Sequence, residues 1–238
     1  MRSLPADLAG LQQAYAYPAD GVWLRANMIA SLDGAAWFGD RTERLGSPGD
    51  RRLFLALRGM ADAVIVGAET VRVEGYGPVK RSGEDWQALR GERPATPPLA
   101  IVSRRLDLDL DAPVFTQAPA YARTILLTTE TAPADRRTAA EQVAEVIVAG
   151  RDGIDFPRAV EELAARGHRR LLCEGGPKIL ARAAADGVLD ELCLTLSPML
   201  VAGDAARILN GPQLPEPARL RLAGLYTEDD FLFLRYRR

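Results

Sequence analysis

Cysteine, histidine and net charge are all scarce in this chain, and each scarcity excludes a class of function. The two cysteines among 238 residues, Cys173 and Cys193, sit in separate apolar runs and form no C-x-x-C pair, so neither a disulfide framework nor a zinc site is expected. The single histidine, His168, lies between Gly167 and Arg169 in a loop, far in sequence from other polar candidates, and reads as a surface or structural residue rather than a general base. A formal net charge of -2 and a pI near 5.6 give no electrostatic reason to expect nucleic acid or an anionic membrane as partner. No segment approaches the length of a membrane span, and Met1–Asp7 lacks the apolar core of a signal peptide. A soluble protein of a reducing cytoplasm, acting on small molecules, is the expectation.

What is present is a 47% hydrophobic chain whose apolar runs alternate between short strands and helical spacing. Residues 1–20 mix Ala, Tyr, Pro and Asp without period and read as an N-terminal arm packed on the domain. Gly21–Gly34 reads as a central strand closed by the turn signal Asp33-Gly34, with Asn27, Ser31 and Asp33 on one parity and therefore on one face. Ser47-Pro48-Gly49-Asp50 opens a helix with Ser47 as N-cap and Pro48 at its first position. Asp50, three residues after the cap, then serves either as capping carboxylate or as a group exposed in a cleft at the helix start. Strands are expected at Ala63–Gly67, Leu99–Val102, Thr124–Leu127, Val146–Val148, Arg170–Cys173 and Leu192–Leu196. Arg81–Pro98, charged and proline-bearing, reads as a surface excursion. Leu220–Leu225 and Phe231–Tyr236, around Thr227–Asp230, form a terminal antiparallel hairpin, and the second of these strands belongs to the sheet core or to a dimer seam.

The chain's organising stretch is Arg170–Leu180, where an apolar strand ends on Glu174-Gly175-Gly176 and Pro177 opens a helix. Free N–H groups at a helix start and glycines that admit close approach make this a phosphate-binding geometry, although two glycines alone can also make only a tight turn. Asp33-Gly34, Gly67–Thr70, Ser103-Arg104 and Glu174–Gly176 each follow an apolar strand, and ligands in open α/β sheets sit beyond the carboxyl ends of the strands. The fold class is therefore a single α/β domain, residues 21–238 behind the arm, with a mostly parallel sheet flanked by helices and an antiparallel C-terminal edge.

Asn27–Gly34, Leu57-Arg58 with Ala61–Gly67 and Thr70-Val71-Arg72, Glu174–Pro177, and Leu189–Leu192 before Ser197-Pro198 resemble, in order and spacing, the pyrimidine reductase domain of riboflavin biosynthesis. That family shares its fold with dihydrofolate reductase. The resemblance implies NADPH-dependent reduction of the ribosylamino side chain of a pyrimidinedione 5′-phosphate to the ribitylamino form, by a homodimer. It places Gly175 and Gly176, with Pro177, at the cofactor pyrophosphate, Gly67, Thr70 and Val71 along its groove, and Ser103 and Arg104 at the 2′-phosphate. Asn27, Ser31, Asp33 and Glu174 would face the junction of nicotinamide and substrate. Read from the residues themselves, Ser47 and Asp50 are further candidates on the substrate side, Arg51 with Arg52 forms a solvated helix face unless Arg51 nears the cleft and meets a substrate phosphate, and Asp50, Asp33 and Glu174 are the candidate catalytic carboxylates.

Two departures from the family pattern stand out. Glu74-Gly75-Tyr76-Gly77-Pro78 replaces the usual Asp-Asp-Pro, leaving Glu74 to take the acidic role. The zinc deaminase carried by many bacterial relatives has no counterpart, since its His-x-Glu and Pro-Cys-x-x-Cys ligands are missing. Reduction of dihydrofolate or another pterin-like heterocycle, or NADPH binding without turnover, are the competing expectations.

Overall fold

The computed structural model describes residues 2–39, 41–83 and 85–238. In chain order its elements are β1 (Arg2–Ser3), α1 (Leu8–Ala14), β2 (Trp23–Ser31), α2 (Pro48–Met60), β3 (Ala63–Gly67), α3 (Ala68–Glu74), α4 (Trp86–Arg90), β4 (Leu99–Val102), α5 (Pro113–Thr116) and β5 (Ile125–Thr128). They continue with α6 (Ala134–Val143), β6 (Glu145–Val148), α7 (Phe156–Ala165), β7 (Arg170–Cys173), α8 (Pro177–Ala185), β8 (Glu191–Ser197), β9 (Arg221–Glu228) and β10 (Phe231–Arg237). All ten strands join one sheet in the order β1-β9-β10-β8-β2-β7-β3-β4-β5-β6. From β8 to β6 every pairing is parallel, whereas β10 runs antiparallel to both β8 and β9. The expected mostly parallel sheet with an antiparallel C-terminal edge is thus the observed architecture.

Two apolar layers cover this sheet. On one face α2, through Leu53 and Leu57, packs with Val64, Val66, Ile101 and Phe233, while on the other α7 and α8 bury Leu163 and Leu180 against Ile65, Ala100 and Leu171. Burial on both faces explains why the central strands read as unbroken apolar runs rather than alternations. Ser47 caps α2 by accepting from the Asp50 N–H at 3.1 Å, and Asp155 caps α7 by accepting from the Arg158 N–H at 3.0 Å. At the C-terminal hairpin, Asp229 and Asp230 both take positive φ (49° and 65°), a two-residue turn that lets β9 run on to Glu228, three residues past its expected end.

Two expectations are corrected. Within the expected surface excursion (of which Glu84 lies outside the described residues), α4 is core: Trp86 is fully buried, and Leu89 and Arg90 are also buried. A Cβ at Gly59 of α2 would come within 2.7 Å of Leu89 and 3.4 Å of Trp86, so the glycine is what admits α4 to the helix surface. Arg90 donates to the carbonyls of Gly59 (3.2 Å), Ala61 and Pro94 (2.8 Å), satisfying the end of α2. Arg90 therefore caps a helix, while Arg81, Asp85 and Glu92 of the same stretch face water. The arm does pack on the domain (its Met1 lies outside the described residues), but it contains α1 and a strand, and Leu4, Leu11 and Tyr15 enter the core.

The arm is fastened by a buried ionic cluster. Glu191, fully buried on β8, accepts from Arg25 (3.0 Å), Arg235 (2.6 Å), Arg237 (3.1 Å) and Trp23 (3.0 Å). Arg25 and Arg235 then reach on to the carbonyls of Tyr15 (2.7 Å) and Ala14 (2.6 Å) at the end of α1. Burial opposes the Glu191 charge, but the arginines more than offset it and hold the carboxyl below its ordinary range.

Candidate active site

A cleft of about 1050 Å³ opens beyond the carboxyl ends of β3, β4 and β7, slightly above the usual 300–1,000 Å³ of small-molecule pockets. Gly67, Thr70, Ser103, Arg104, Glu174, Gly176, Pro177 and Glu74, named from the sequence, line it together with Met28, Trp37 and Thr42. The diglycine turn forms one wall. Its Gly175–Gly176 peptide is cis, Gly175 has φ 80°, and the Gly175 carbonyl accepts from the Gly67 N–H at 2.7 Å, closing the turn onto the end of β3. A Cβ on Gly176 would stand 2.9 Å from the Thr70 hydroxyl and one on Gly67 3.0 Å from Ile179, so a side chain at either position would narrow the passage between turn and strand end. Gly176 is also the N-cap of α8 and supplies no capping side chain; Pro177 carries no N–H and the Ile179 N–H donates to the Gly176 carbonyl at 2.9 Å, so in the first turn the Lys178 N–H is the donor that an anion would meet.

At the far end of the cleft Ser103 is buried while Arg104 and Arg105 are exposed at its rim. The Arg104 carbonyl accepts from the hydroxyls of Thr128 (3.3 Å) and Thr129 (3.2 Å), which fixes the backbone from which that guanidinium extends. A hydroxyl and two arginines separated from a helix N-terminus by an extended cleft provide two anion sites at opposite ends of one groove. Val71 is not part of it. Its side chain is buried in the α2-side core, because in α3 it points away from the face that carries Thr70 and Arg72.

The substrate-side candidates divide. Ser31 and Asp33 do not project together as a strand face, since β2 ends at Ser31 and Asp33 lies in the turn. Ser31 is fully buried and hydrogen-bonded to Asp33, and its oxygen accepts from the Ala35 N–H at 2.9 Å. Asp33 also accepts from the N–H groups of Val201 (3.1 Å) and Ala202 (2.6 Å); the Ser31 hydroxyl first, and then these backbone bonds, pull its pKa below the ordinary carboxylate value. These contacts assign both side chains to joining the β2 turn to the 199–203 loop, which corrects the expectation of Asp33 as a catalytic carboxylate. Glu174 is likewise engaged. Arg58 meets it with two bonds of 2.7 Å, and the Tyr76 hydroxyl donates to Oε2 at 2.8 Å, so both oxygens are hydrogen-bonded within the protein. Glu74 accepts from the Thr42 hydroxyl (3.2 Å) at the cleft edge. Arg51 is exposed at the start of α2, and Ser47 is committed to its cap.

Asp50 behaves differently. Its carboxyl makes no bond back to the Ser47 N–H among the described residues; it lies instead beside Thr195 of β8, and burial raises its pKa. On the same face of the sheet the side-chain oxygens of Asn27, Thr195 and Ser197 are buried without a formed hydrogen bond. The register pairs Asn27 with Cys193, Ile29 with Thr195 and Ser31 with Ser197, so these orphaned oxygens lie on adjacent strands under the N-terminus of α2. Buried polar atoms without partners are costly, and a ligand's polar ring edge would satisfy them. Thr195 and Ser197 were legible in principle. They alternate with leucines in Leu192–Ser197, a period-two polar row that an apolar reading of the strand passes over.

The model of the RibD C-terminal domain family matches residues 22–232. A 2,5-diamino-6-ribosylamino-4(3H)-pyrimidinone 5′-phosphate reductase of Methanothermobacter thermautotrophicus is 28% identical over 214 residues, covering 88% of this chain and 95% of that protein. The like-named protein of Archaeoglobus fulgidus is 27% identical over 198 residues, covering 82% and 89%. Among solved structures, a pyrimidine reductase-like protein from Corynebacterium diphtheriae superposes with a TM-score of 0.83 at 28% identity, covering 95% of this chain and 97% of that one.

Proposed function

The chain belongs to the RibD C-terminal domain family, and from that premise we propose that it is an NADPH-dependent oxidoreductase reducing the ribosylamino side chain of a phosphorylated pyrimidine to the ribitylamino form. The observation that carries the reading is the cleft with an uncapped helix N-terminus behind two glycines at one end and Ser103 with Arg104 at the other. That donor set fits NADPH. Gly67, Thr70, Gly176 and Pro177 would hold the pyrophosphate, and Ser103 and Arg104 the 2′-phosphate.

When bound, the nicotinamide supplies a hydride to the first carbon of the opened, imine form of the sugar; the side-chain nitrogen must then gain a proton. Asp50 is the chain's candidate for moving it. A carboxyl whose pKa is raised by burial retains a proton further toward neutral pH than an exposed one does. Asn27, Thr195 and Ser197 would bond the polar edge of the pyrimidine, and Arg51 would meet the substrate phosphate from the rim. Met28 and Trp37 line the cleft beside the cofactor groups, where they would exclude water from the nicotinamide.

A soluble, cytoplasmic homodimer is part of the same proposal. Leu192, Leu194 and Leu196 of β8 pair with Tyr236, Leu234 and Leu232 of β10, and these side chains are half-exposed on the sheet face opposite Phe233 and Cys193. A second copy meeting this face about a two-fold axis would bury it, and Leu234→Glu would then yield monomer in sedimentation. The function itself is tested by following NADPH absorbance on addition of the diaminopyrimidinone phosphate, the deaminated dione phosphate, or dihydrofolate as control. Oxidation with either pyrimidine and none with dihydrofolate supports the proposal; the reverse pattern assigns the cleft to a pterin.

A further inference from the structure

Glu174 immediately precedes the diglycine turn and is held by residues from two other elements. Arg58, two turns along α2 from Asp50, grips it with Nε and Nη2, both at 2.7 Å. Tyr76, in the loop after α3, donates to it at 2.8 Å. Arg58 is itself immobilised, its guanidinium lying 4.1 Å from the Phe54 ring centroid and 5.1 Å from that of Tyr76. Burial works against the Arg58 charge, but Glu174 more than offsets it, so the guanidinium keeps its charge. Burial and the neighbouring carboxylate raise the Tyr76 phenol, so it remains a donor. The Glu174 N–H donates to the Ile65 carbonyl at 2.9 Å, tying the same residue to β3.

We propose that Arg58 and Tyr76, acting through Glu174, are positioning residues that fix the diglycine turn relative to α2. This inference rests on the function proposed above. The turn would carry the cofactor and the N-terminus of α2 would carry Asp50 and the substrate ring, so one bidentate pair sets the distance between hydride donor and acceptor. Glu174 borders the cleft beside the turn, whereas Arg58 and Tyr76 stand behind it, outside the lining. A planar fork-to-fork contact fixes direction as well as distance, which a lysine at position 58 cannot reproduce while keeping its charge.

The test compares Tyr76→Phe, Arg58→Lys and Glu174→Gln with the parent protein in three measurements: melting temperature, NADPH affinity by cofactor fluorescence without substrate, and the kinetic isotope effect with deuterated NADPH. Tyr76→Phe loses one hydroxyl and is expected to fold. It should lower kcat severalfold and raise the isotope effect, because hydride transfer becomes slower relative to product release. Arg58→Lys and Glu174→Gln should lower kcat by roughly 10–100-fold and weaken NADPH binding, and the double variant should be no worse than the poorer single. Loss of melting temperature with kcat, isotope effect and NADPH affinity unchanged in all three overturns the inference, since that is the signature of a brace without a positioning role. A parent protein that binds NADPH but turns over neither pyrimidine overturns the proposed function alone, because the affinity changes still report on the turn. A parent protein that does not bind NADPH overturns both.

Discussion

Replacing Asp50 by asparagine separates catalysis from capping at the one carboxyl whose surroundings suit proton transfer. The side chain is isosteric and remains beside Thr195, and the Ser47 hydroxyl still accepts from the backbone N–H of residue 50, so the start of α2 keeps its cap. Burial raises the folded-state pKa above that of the unfolded chain. Asp50 therefore contributes most to stability below the ordinary carboxylate range, and that contribution is lost as pH rises through the unfolded value toward the raised one. Above the raised pKa the charged carboxylate is a burden that asparagine removes, so the melting temperature should there be unchanged or slightly higher. Loss of a positioned proton donor costs about 10²–10⁴-fold in kcat, equivalent to about 3–5 kcal/mol of barrier. With Asn27, Thr195 and Ser197 still present to bind the ring, KM should move only severalfold. In the parent protein, kcat against pH should change across a pKa above the usual carboxylate range, and this limb should vanish in Asp50→Asn. Turnover within twofold of the parent, or a clear fall in melting temperature with turnover retained, would refute the catalytic assignment and leave Asp50 as a first-turn carboxylate.

Three further tests address other parts of the molecule. Ser103→Ala combined with Arg104→Ala removes charge-assisted bonds worth about 1.5–3 kcal/mol each, so the NADPH Kd should rise at least about tenfold while that for NADH barely changes; equal losses for both coenzymes would move the 2′-phosphate elsewhere. Trp86→Ala should cost about 3–5 kcal/mol, lowering the melting temperature by roughly 6–20 °C, and Gly59→Ala should cost about 1–3 kcal/mol by driving a methyl group into Leu89; an unchanged melt for both would restore the surface reading of this stretch. Glu191→Gln leaves the fully buried Arg25 without its carboxylate and should destabilise by about 3–5 kcal/mol in urea unfolding, with the arm becoming protease-sensitive; a neutral result would mean the carbonyls of α1 suffice to hold the arginines.

The parallel core was legible because each strand is short, apolar on both faces and closed by glycine, a hydroxyl or a charged residue. That Gly67, Ser103 and Gly176 would line one cleft followed for the same reason: they stand at strand ends, and cleft positions in such sheets are a property of topology. What escaped the sequence depends on distant partners. Arg90 and Trp86 read as surface because composition alone does not reveal that a glycine on α2 leaves room for them. Glu174 and Asp33 read as catalytic carboxylates because motif position does not show that Arg58 with Tyr76, and the amides of Val201 and Ala202, already occupy their oxygens. Thr195 and Ser197 were hidden inside a strand dominated by leucine, and only their burial without partners distinguishes them.

The central claim, that this cleft delivers a hydride to the sugar carbon of a ribosylaminopyrimidine phosphate, is tested most directly by tracing the label from specifically deuterated NADPH. Mass spectrometry and NMR of the product should show one deuterium, on the first carbon of the ribityl chain, at one face only. Product without label, label on the pyrimidine ring, or no consumption of NADPH with either pyrimidine phosphate would contradict the account.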